Sequence, residues 1–196
     1  WSIGGGLGEV PKRFNERSIT PELIREATFR EKLKLLKEHQ QNNESHALRC
    51  EFLLRLGMAQ SFKACDQLYF PHNMDFRGRV YPIPPHLNHM GADLNRGILE
   101  FSQPRKLGAE GLRWLKIHLA NKIGKDKLPL DDRAGYAESI METVHKCAAD
   151  PKNNLEWLDS ENPWQTLACM FELSNALKLE DPSEYECRLH VHVDGS

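Results

Sequence analysis

No stretch of this chain approaches the roughly 18 consecutive apolar residues that a membrane span needs, and no membrane role is expected. Its net charge of −2 over 196 residues carries no global signature of an acidic or basic partner. Any surface for nucleic acid must then be local. The five cysteines, Cys50, Cys65, Cys147, Cys169 and Cys187, are odd in number and contain no Cys-x-x-Cys pair. That argues against a disulfide framework or a zinc ribbon and reads as apolar thiols in a reducing compartment. The opening Trp1-Ser2-Ile3-Gly4-Gly5-Gly6 lacks the basic and apolar regions of a secretory signal. Gly4 to Gly8 lacks the Gly-Lys-Ser/Thr ending of a phosphate loop, and no strand precedes it. Residues 1–19 therefore read as an exposed, Gly-rich and charged segment. An alternating strand–helix repeat is also missing, which argues against a doubly wound parallel sheet.

What is present is an ordinary globular composition, 40% hydrophobic and 28% charged, with chain enough for one core plus a helical appendage. Thr20-Pro21 is a helix start, a hydroxyl cap followed by proline where no amide hydrogen is missed. Leu23, Ala27, Phe29, Leu33 and Leu36 carry a helical stripe to about His39. The polar run Gln40-Gln41-Asn42-Asn43 reads as a turn, and Leu48, Phe52, Leu56, Ala59 and Phe62 mark a second helix to about Leu68. An antiparallel helical hairpin over residues 20–66 is the expectation. Its lysines and arginines (Lys32, Lys34, Lys37, Arg49, Arg55, Lys63) read first as a solvated face offset by Glu31, Glu38 and Glu51.

Residues 67–196 read as the globular part. From Tyr69 to Leu87 aromatics, prolines and arginines replace the helical period, predicting a structured loop that enters a short strand. Leu112, Leu115, Leu119 and Ile123 define a helix stopped by Gly124. Asp131 or Asp132 caps another, through Ala134, Ala137, Ile140, Met141, Val144 and Ala148. Asn162-Pro163 opens a third, with Trp164, Leu167, Ala168 and Phe171 inward. Leu189, Val191 and Val193 alternate with His190 and His192, a period of two that predicts a half-buried closing strand. The fold class is α+β, mostly helical, with a small antiparallel sheet.

Three places could carry chemistry. Asp75-Phe76-Arg77-Gly78-Arg79 packs two guanidiniums, a carboxylate and a glycine into five residues. Arginine's planar fork suits phosphate oxygens, and glycine lets a backbone approach a ligand; the competing reading is a structural bridge, Asp75 to Arg79, with Arg77 directed elsewhere. Lys125-Asp126-Lys127 could offer a mobile point charge to a triphosphate or simply be solvated. Asp194 leaves the closing strand at a glycine turn, an acid on a rigid element with its oxygens open. His190, His192 and Asp194 could share a zinc ion, since residues two apart in a strand share a face. A lone carboxylate with little nitrogen help suits magnesium instead.

Four blocks in order, Pro71 to Pro82, Gly111 to Asn121, Pro163 to Cys169 and His192 to Ser196, resemble the phage-type single-subunit RNA polymerases. Pro71 to Arg79 and Pro84 to His89 are most similar to their mitochondrial branch. The resemblance implies a right-hand polymerase transcribing mitochondrial DNA in the matrix. Residues 20–66 would be a thumb-like hairpin and 67–196 the first part of the palm. It implies that Asp194 is the first catalytic, metal-binding aspartate of a two-Mg2+ site, with Gly195 adding its backbone carbonyl. Asp75, Arg77 and Arg79 would lie along template and nascent strand, and Lys127 near the phosphates of the incoming nucleotide. DNA template, nascent RNA, nucleoside triphosphates and mitochondrial transcription factors are the implied partners. The family's second catalytic aspartate and its fingers helix would lie further along, so the chain reads as a piece of a longer polypeptide, expected to be inactive alone. Two other classes stay open on the residues: a zinc hydrolase using His190, His192 and Asp194, and a non-catalytic nucleic-acid-binding module.

Overall fold

The computed structural model describes residues 28–192. The helix start at Thr20-Pro21, the segment 1–19, and Asp194 with Gly195 lie outside the described residues. The chain divides into two units, residues 1–60 and 61–196.

In the first unit, Phe29–Phe62 is one continuous helix, α1, and the expected turn at 40–43 is absent. Its start carries one half of a capping box: the Glu31 carboxylate reaches back to accept from the Thr28 amide, at 2.8 Å, and also from the Thr28 hydroxyl, at 2.6 Å. The polar run stays helical because its side chains bond one turn along. Gln40 Nε2 donates to Glu44 Oε1 at 2.8 Å, and Asn43 Nδ2 lies 3.2 Å from His39 Nε2. Such i,i+4 pairs offset the poor helix propensity of asparagine. Arg55–Glu51 and Lys34–Glu38 repeat the spacing. No residue of α1 is buried.

The second unit begins with a hairpin, β1 (His72–Met74) against β2 (Val80–Pro82), in the register His72↔Pro82, Asn73↔Tyr81 and Met74↔Val80. Five helices follow in chain order: α2 (Asp93–Ile98), α3 (Gly108–Ile123), α4 (Leu130–Ser139), α5 (Met141–Ala149) and α6 (Pro163–Ala176). A second two-stranded antiparallel ladder joins β3 (Arg105–Lys106) to β4 (Glu186–Cys187). The mostly helical α+β class is what the structure has.

The core lies between α3 and α6. Leu115 and Leu119 are buried as the helical stripe of α3 predicts, with Ile117 and Ala120 beside them. In α6 the expected inward set holds only in part. Leu167 is buried, but Phe171 is exposed, and Gln165, Thr166, Cys169, Met170 and Leu173 are buried instead. A helix enclosed on most of its circumference has no single apolar stripe to read. The segment after Pro129 is two helices rather than one. Ser139 donates its hydroxyl to the Tyr136 carbonyl at 2.7 Å, a local competitor for the helical ladder, and the chain breaks at Ile140. Neither Asp131 nor Asp132 caps α4; Pro129 occupies that position.

The closing strand is also displaced. Pairing occurs at Glu186–Cys187, and residues 188–192 join no ladder. The partner strand is two residues long, so the ladder ends. The chain is then held by one backbone and one side-chain bond at Arg188: the Phe101 amide donates to the Arg188 carbonyl at 2.9 Å, and Arg188 Nη1 donates to the Ser102 carbonyl at 2.5 Å.

One carboxylate ties α2 to α6. No side chain of Asn162 caps α6; Asp93 does so from 71 residues away, accepting from the Trp164 amide at 2.7 Å and the Gln165 amide at 3.2 Å. Gln165 Nε2 adds a third bond at 2.9 Å. Gly97, one turn along α2, faces the same place: a Cβ there would sit 2.8 Å from the Trp164 backbone. Removing the carboxylate leaves amides at a helix N-terminus without acceptors. Asp93→Ala is expected to cost about 1.5–3 kcal/mol, the range for hydrogen bonds to a charged group, measured by urea denaturation of the chain.

Candidate functional site

The Asp75–Arg79 segment is the loop of the β1–β2 hairpin. The Asp75 amide donates to the Arg79 carbonyl at 2.9 Å and the Gly78 amide to the Asp75 carbonyl at 3.0 Å. Gly78 has φ 77°, in the left-handed region where a Cβ is strained. A turn followed by a left-handed glycine is a common way to close a short hairpin. Asp75 organises its interior: one carboxylate oxygen accepts from the amides of Arg77 and Arg79, both at 2.9 Å. The other accepts from Arg77 Nε at 3.1 Å and Nη2 at 3.0 Å. The Arg79 amide above all holds the Asp75 carboxyl below the usual aspartate value; desolvation opposes it, and the Arg77 side chain and amide add smaller lowering effects.

The expected bridge is thus reassigned. Arg77 pairs with Asp75, and Arg79 contributes only its backbone, because an aspartate two residues before an arginine on a tight turn reaches that side chain more readily than one across the turn. Among the described residues no hydrogen bond or ion pair engages the Arg79 guanidinium. Phe76 at the tip is 97% exposed, with the Arg77 guanidinium 5.6 Å from its ring centroid. The loop presents a cation, a bare aromatic face and an ordered backbone, which are the contacts a nucleic-acid strand uses.

Lys127 lies in the loop between α3 and α4. Helix α3 stops at Gly124, as its sequence predicts, with φ 99°. The loop turns back with the Leu128 amide donating to the Lys125 carbonyl at 3.2 Å. Lys125 Nζ stands 5.6 Å over the Tyr136 ring. Lys127 is exposed, and among the described residues its ammonium makes no hydrogen bond or ion pair. Sequence reasoning missed Arg133, which binds this loop from α4. Its one visible signal was a cation in the first turn of a helix, where the helix dipole disfavours it.

The residues that precede Asp194 in the chain carry two imidazoles. The His190 and His192 rings meet edge to face, 4.7 Å between centroids. The Nε2 atom of each is buried and without a partner among the described residues. His118, on α3, is buried; desolvation first, then Lys122, His190 and His192, push its pKa down to about 4. His192 is lowered to about 4 by burial, His190, Arg96, Lys122 and His89. His190 and His89 are lowered chiefly by burial. Among the described residues no group of three His, Cys, Asp or Glu side chains could hold a metal ion; Asp194, the third ligand of the zinc reading, lies outside them.

Two outcomes follow from these geometries. Asp75→Ala should release the hairpin turn, seen as a loss of backbone order at residues 76–79 in 15N relaxation. In the parent chain that order should persist at neutral pH and fail as the pH drops through the lowered Asp75 value. The buried histidines act with the opposite charge but the same sign on stability. His118 is neutral in the fold, so the unfolded chain binds its proton more readily. Its contribution is intact above pH about 6.5 and is lost as the pH falls toward about 4. Urea midpoints measured across that interval should decline, and His118→Gln should flatten the decline.

Comparison with known proteins adds a sequence relationship. Residues 105–196 match the family model described as DNA-dependent RNA polymerase. The whole chain is 43% identical over 202 residues to the mitochondrial DNA-directed RNA polymerase of Neurospora crassa. It is 49% identical over 156 residues, 78% of the chain, to the human mitochondrial DNA-directed RNA polymerase. It is also 40% identical over 201 residues to DNA-directed RNA polymerase 2, chloroplastic/mitochondrial, of Arabidopsis thaliana. The chain spans 14%, 12% and 20% of the length of these relatives, respectively.

Proposed function

The chain belongs to the phage-type single-subunit DNA-dependent RNA polymerase family, and on that premise we propose that it serves nucleotidyl transfer in mitochondrial transcription. It does so as part of the palm and its thumb-like approach. The β1–β2 hairpin lies along the template and nascent RNA, with Arg79 and Arg77 toward phosphates and Phe76 toward bases. The observation that carries this reading is the Asp75 turn. Its one carboxylate holds the Arg77 and Arg79 amides while the Arg79 guanidinium stays unengaged among the described residues and the Phe76 ring, with Arg77 over it, stays exposed. A merely structural turn would have no use for an exposed aromatic beside an unpaired guanidinium.

Asp194, with the Gly195 carbonyl, would hold the divalent ions, Mg2+ by the preference of hard oxygen donors. When bound, such ions supply Lewis-acid stabilisation of charge on the reacting phosphate oxygens. The exposed Lys127 offers its ammonium to the triphosphate as a point charge. His118 on α3, and His190 and His192 just before Asp194 in the chain, are neutral at neutral pH and add no fixed cation to compete with metal. DNA template, nascent RNA and nucleoside triphosphates are the ligands, and mitochondrial transcription factors the protein partners. The mitochondrial matrix is the proposed location, supported by the names of the Neurospora and human relatives.

A chimera tests this directly. Substituting this chain for the matching segment of the human mitochondrial polymerase is expected to preserve extension of an RNA primer on a DNA template. Asp194→Asn in that chimera should then lower single-nucleotide addition by about two to three orders of magnitude, the size of several kcal/mol of lost charge stabilisation. Addition at the parent rate would remove Asp194 from the metal site. Retained salt-sensitive template binding with no dependence on Asp194 would favour the silent nucleic-acid-binding module.

A further inference from the structure

Among the described residues the hydrogen bonds from a side chain to the backbone of the loop that carries Lys127 all come from Arg133. Arg133 lies in the first turn of α4 and directs its guanidinium back under the preceding residues. Nε donates to the Leu128 carbonyl at 2.7 Å, Nη2 donates to the Asp126 carbonyl, and Nη1 donates to Asn121 Oδ1 on α3 at 2.9 Å. The two carbonyls belong to the residues immediately before and after Lys127. The peptide group that enters Lys127 and the one that leaves Leu128 are therefore tied to one rigid planar fork, which is itself anchored to the neighbouring helix.

Helix stability does not explain an arginine at this position. A cation near a helix N-terminus opposes the dipole. Asp131 and Asp132 occupy the same turn, yet Arg133 pairs with neither; Asp131 instead accepts from Arg113 Nη2 at 2.6 Å. What Arg133 gains is three acceptors, two of them on the loop. Beyond the loop's start, the remaining backbone restraints are light: the Lys125 amide returns to the Ala120 carbonyl at 2.9 Å, and Leu128 closes a turn on Lys125 at 3.2 Å. Of the two lysines, Lys125 lies over Tyr136, while Lys127 is exposed and unengaged among the described residues.

We propose that Arg133 is a positioning residue that fixes the backbone on both sides of Lys127 and so presents its ammonium, preorganised, to the triphosphate of an incoming nucleotide. The proposal rests on the phosphate-binding reading of Lys127. Preorganisation matters here because a lysine on a mobile loop must be ordered when the ligand binds, and that ordering subtracts from affinity. Arginine is needed rather than any cation, since a lysine ammonium cannot span two carbonyls and an amide oxygen with a planar fork.

Two measurements test it. In the 196-residue chain, amide hydrogen exchange at residues 125–128 should rise in Arg133→Met and to a lesser degree in Arg133→Lys, with the buried amides of α6 unchanged. Arg133→Lys keeps the charge and guards against a variant that merely unfolds. Unchanged loop exchange in both variants would overturn the proposal. In the human-polymerase chimera, Arg133→Lys should raise the KM for nucleoside triphosphate about tenfold or more, the size of one lost charge-assisted hydrogen bond, with a smaller change in kcat. A double-mutant cycle with Lys127→Ala should show that the Arg133 effect on KM disappears once the lysine is gone. Additive effects would overturn the positioning role. If Lys127→Ala alone leaves KM unchanged, the phosphate reading of Lys127 fails and the proposal with it. If Lys127→Ala raises KM but Arg133→Lys does not, the lysine reading stands and the Arg133 proposal falls.

Discussion

Everything in the globular unit is referred to the meeting of α2 and α6, where Asp93 receives three hydrogen bonds and Gly97 admits the Trp164 backbone at a distance no side chain would tolerate. That junction sets the angle at which α6 enters the core. The buried side chains of α6, from Gln165 to Ala176, then meet α3, and α3 in turn delivers Gly124 and the loop after it. Trp157, buried with its indole donating to the Pro151 carbonyl at 3.0 Å and its ring 5.3 Å from that of Trp164, closes the same junction from the other side. A charge and a missing methyl group thus govern the placement of elements that are otherwise apolar.

The two loops assigned to ligands are ordered by the same device used in opposite senses. At the hairpin, a carboxylate gathers backbone amides and one guanidinium. In the α3–α4 loop, a guanidinium gathers backbone carbonyls. Each lies on an exposed turn with few apolar contacts of its own, where a polar hub is the available means of fixing conformation. Each also leaves one cationic side chain unengaged among the described residues. Local order and ligand-ready charge come from separate residues in both cases, which lets the backbone be rigid while the contacting group stays free to adapt.

Much of this architecture is legible in the residues, and its failures have identifiable causes. The α3 stripe, the Gly124 stop and the Asn162-Pro163 start rest on strong local signals and match the structure. The turn at 40–43 does not, because propensity scales treat Asn and Gln singly while His39–Asn43 and Gln40–Glu44 act as pairs. The closing strand reads three residues late: an alternating pattern records which faces are apolar, whereas pairing depends on the length of the partner, and β3 is short. Of the candidate site, the residue types at Asp75, Arg77, Arg79 and Lys127 were readable from their chemistry and resemblance. Their partners were not. Arg77 rather than Arg79 bridges Asp75, and Arg133 reaches the Lys127 loop, through side-chain geometry that no spacing rule encodes.

The unbroken course of α1 has a consequence for how sequence change is tolerated along it. A hairpin turn at 40–43 would absorb an inserted or deleted residue locally, leaving both arms in register with whatever they face. A continuous helix cannot. One residue added anywhere within α1 advances everything beyond it by about 100° and 1.5 Å, turning Leu48, Leu53 and Leu54 away from their original azimuth relative to Leu33 and Leu36. Its length is therefore discretised: the two ends return close to phase for changes of about seven or eleven residues, near two or three full turns. The polar middle, held helical by its own paired side chains, is constrained in number as well.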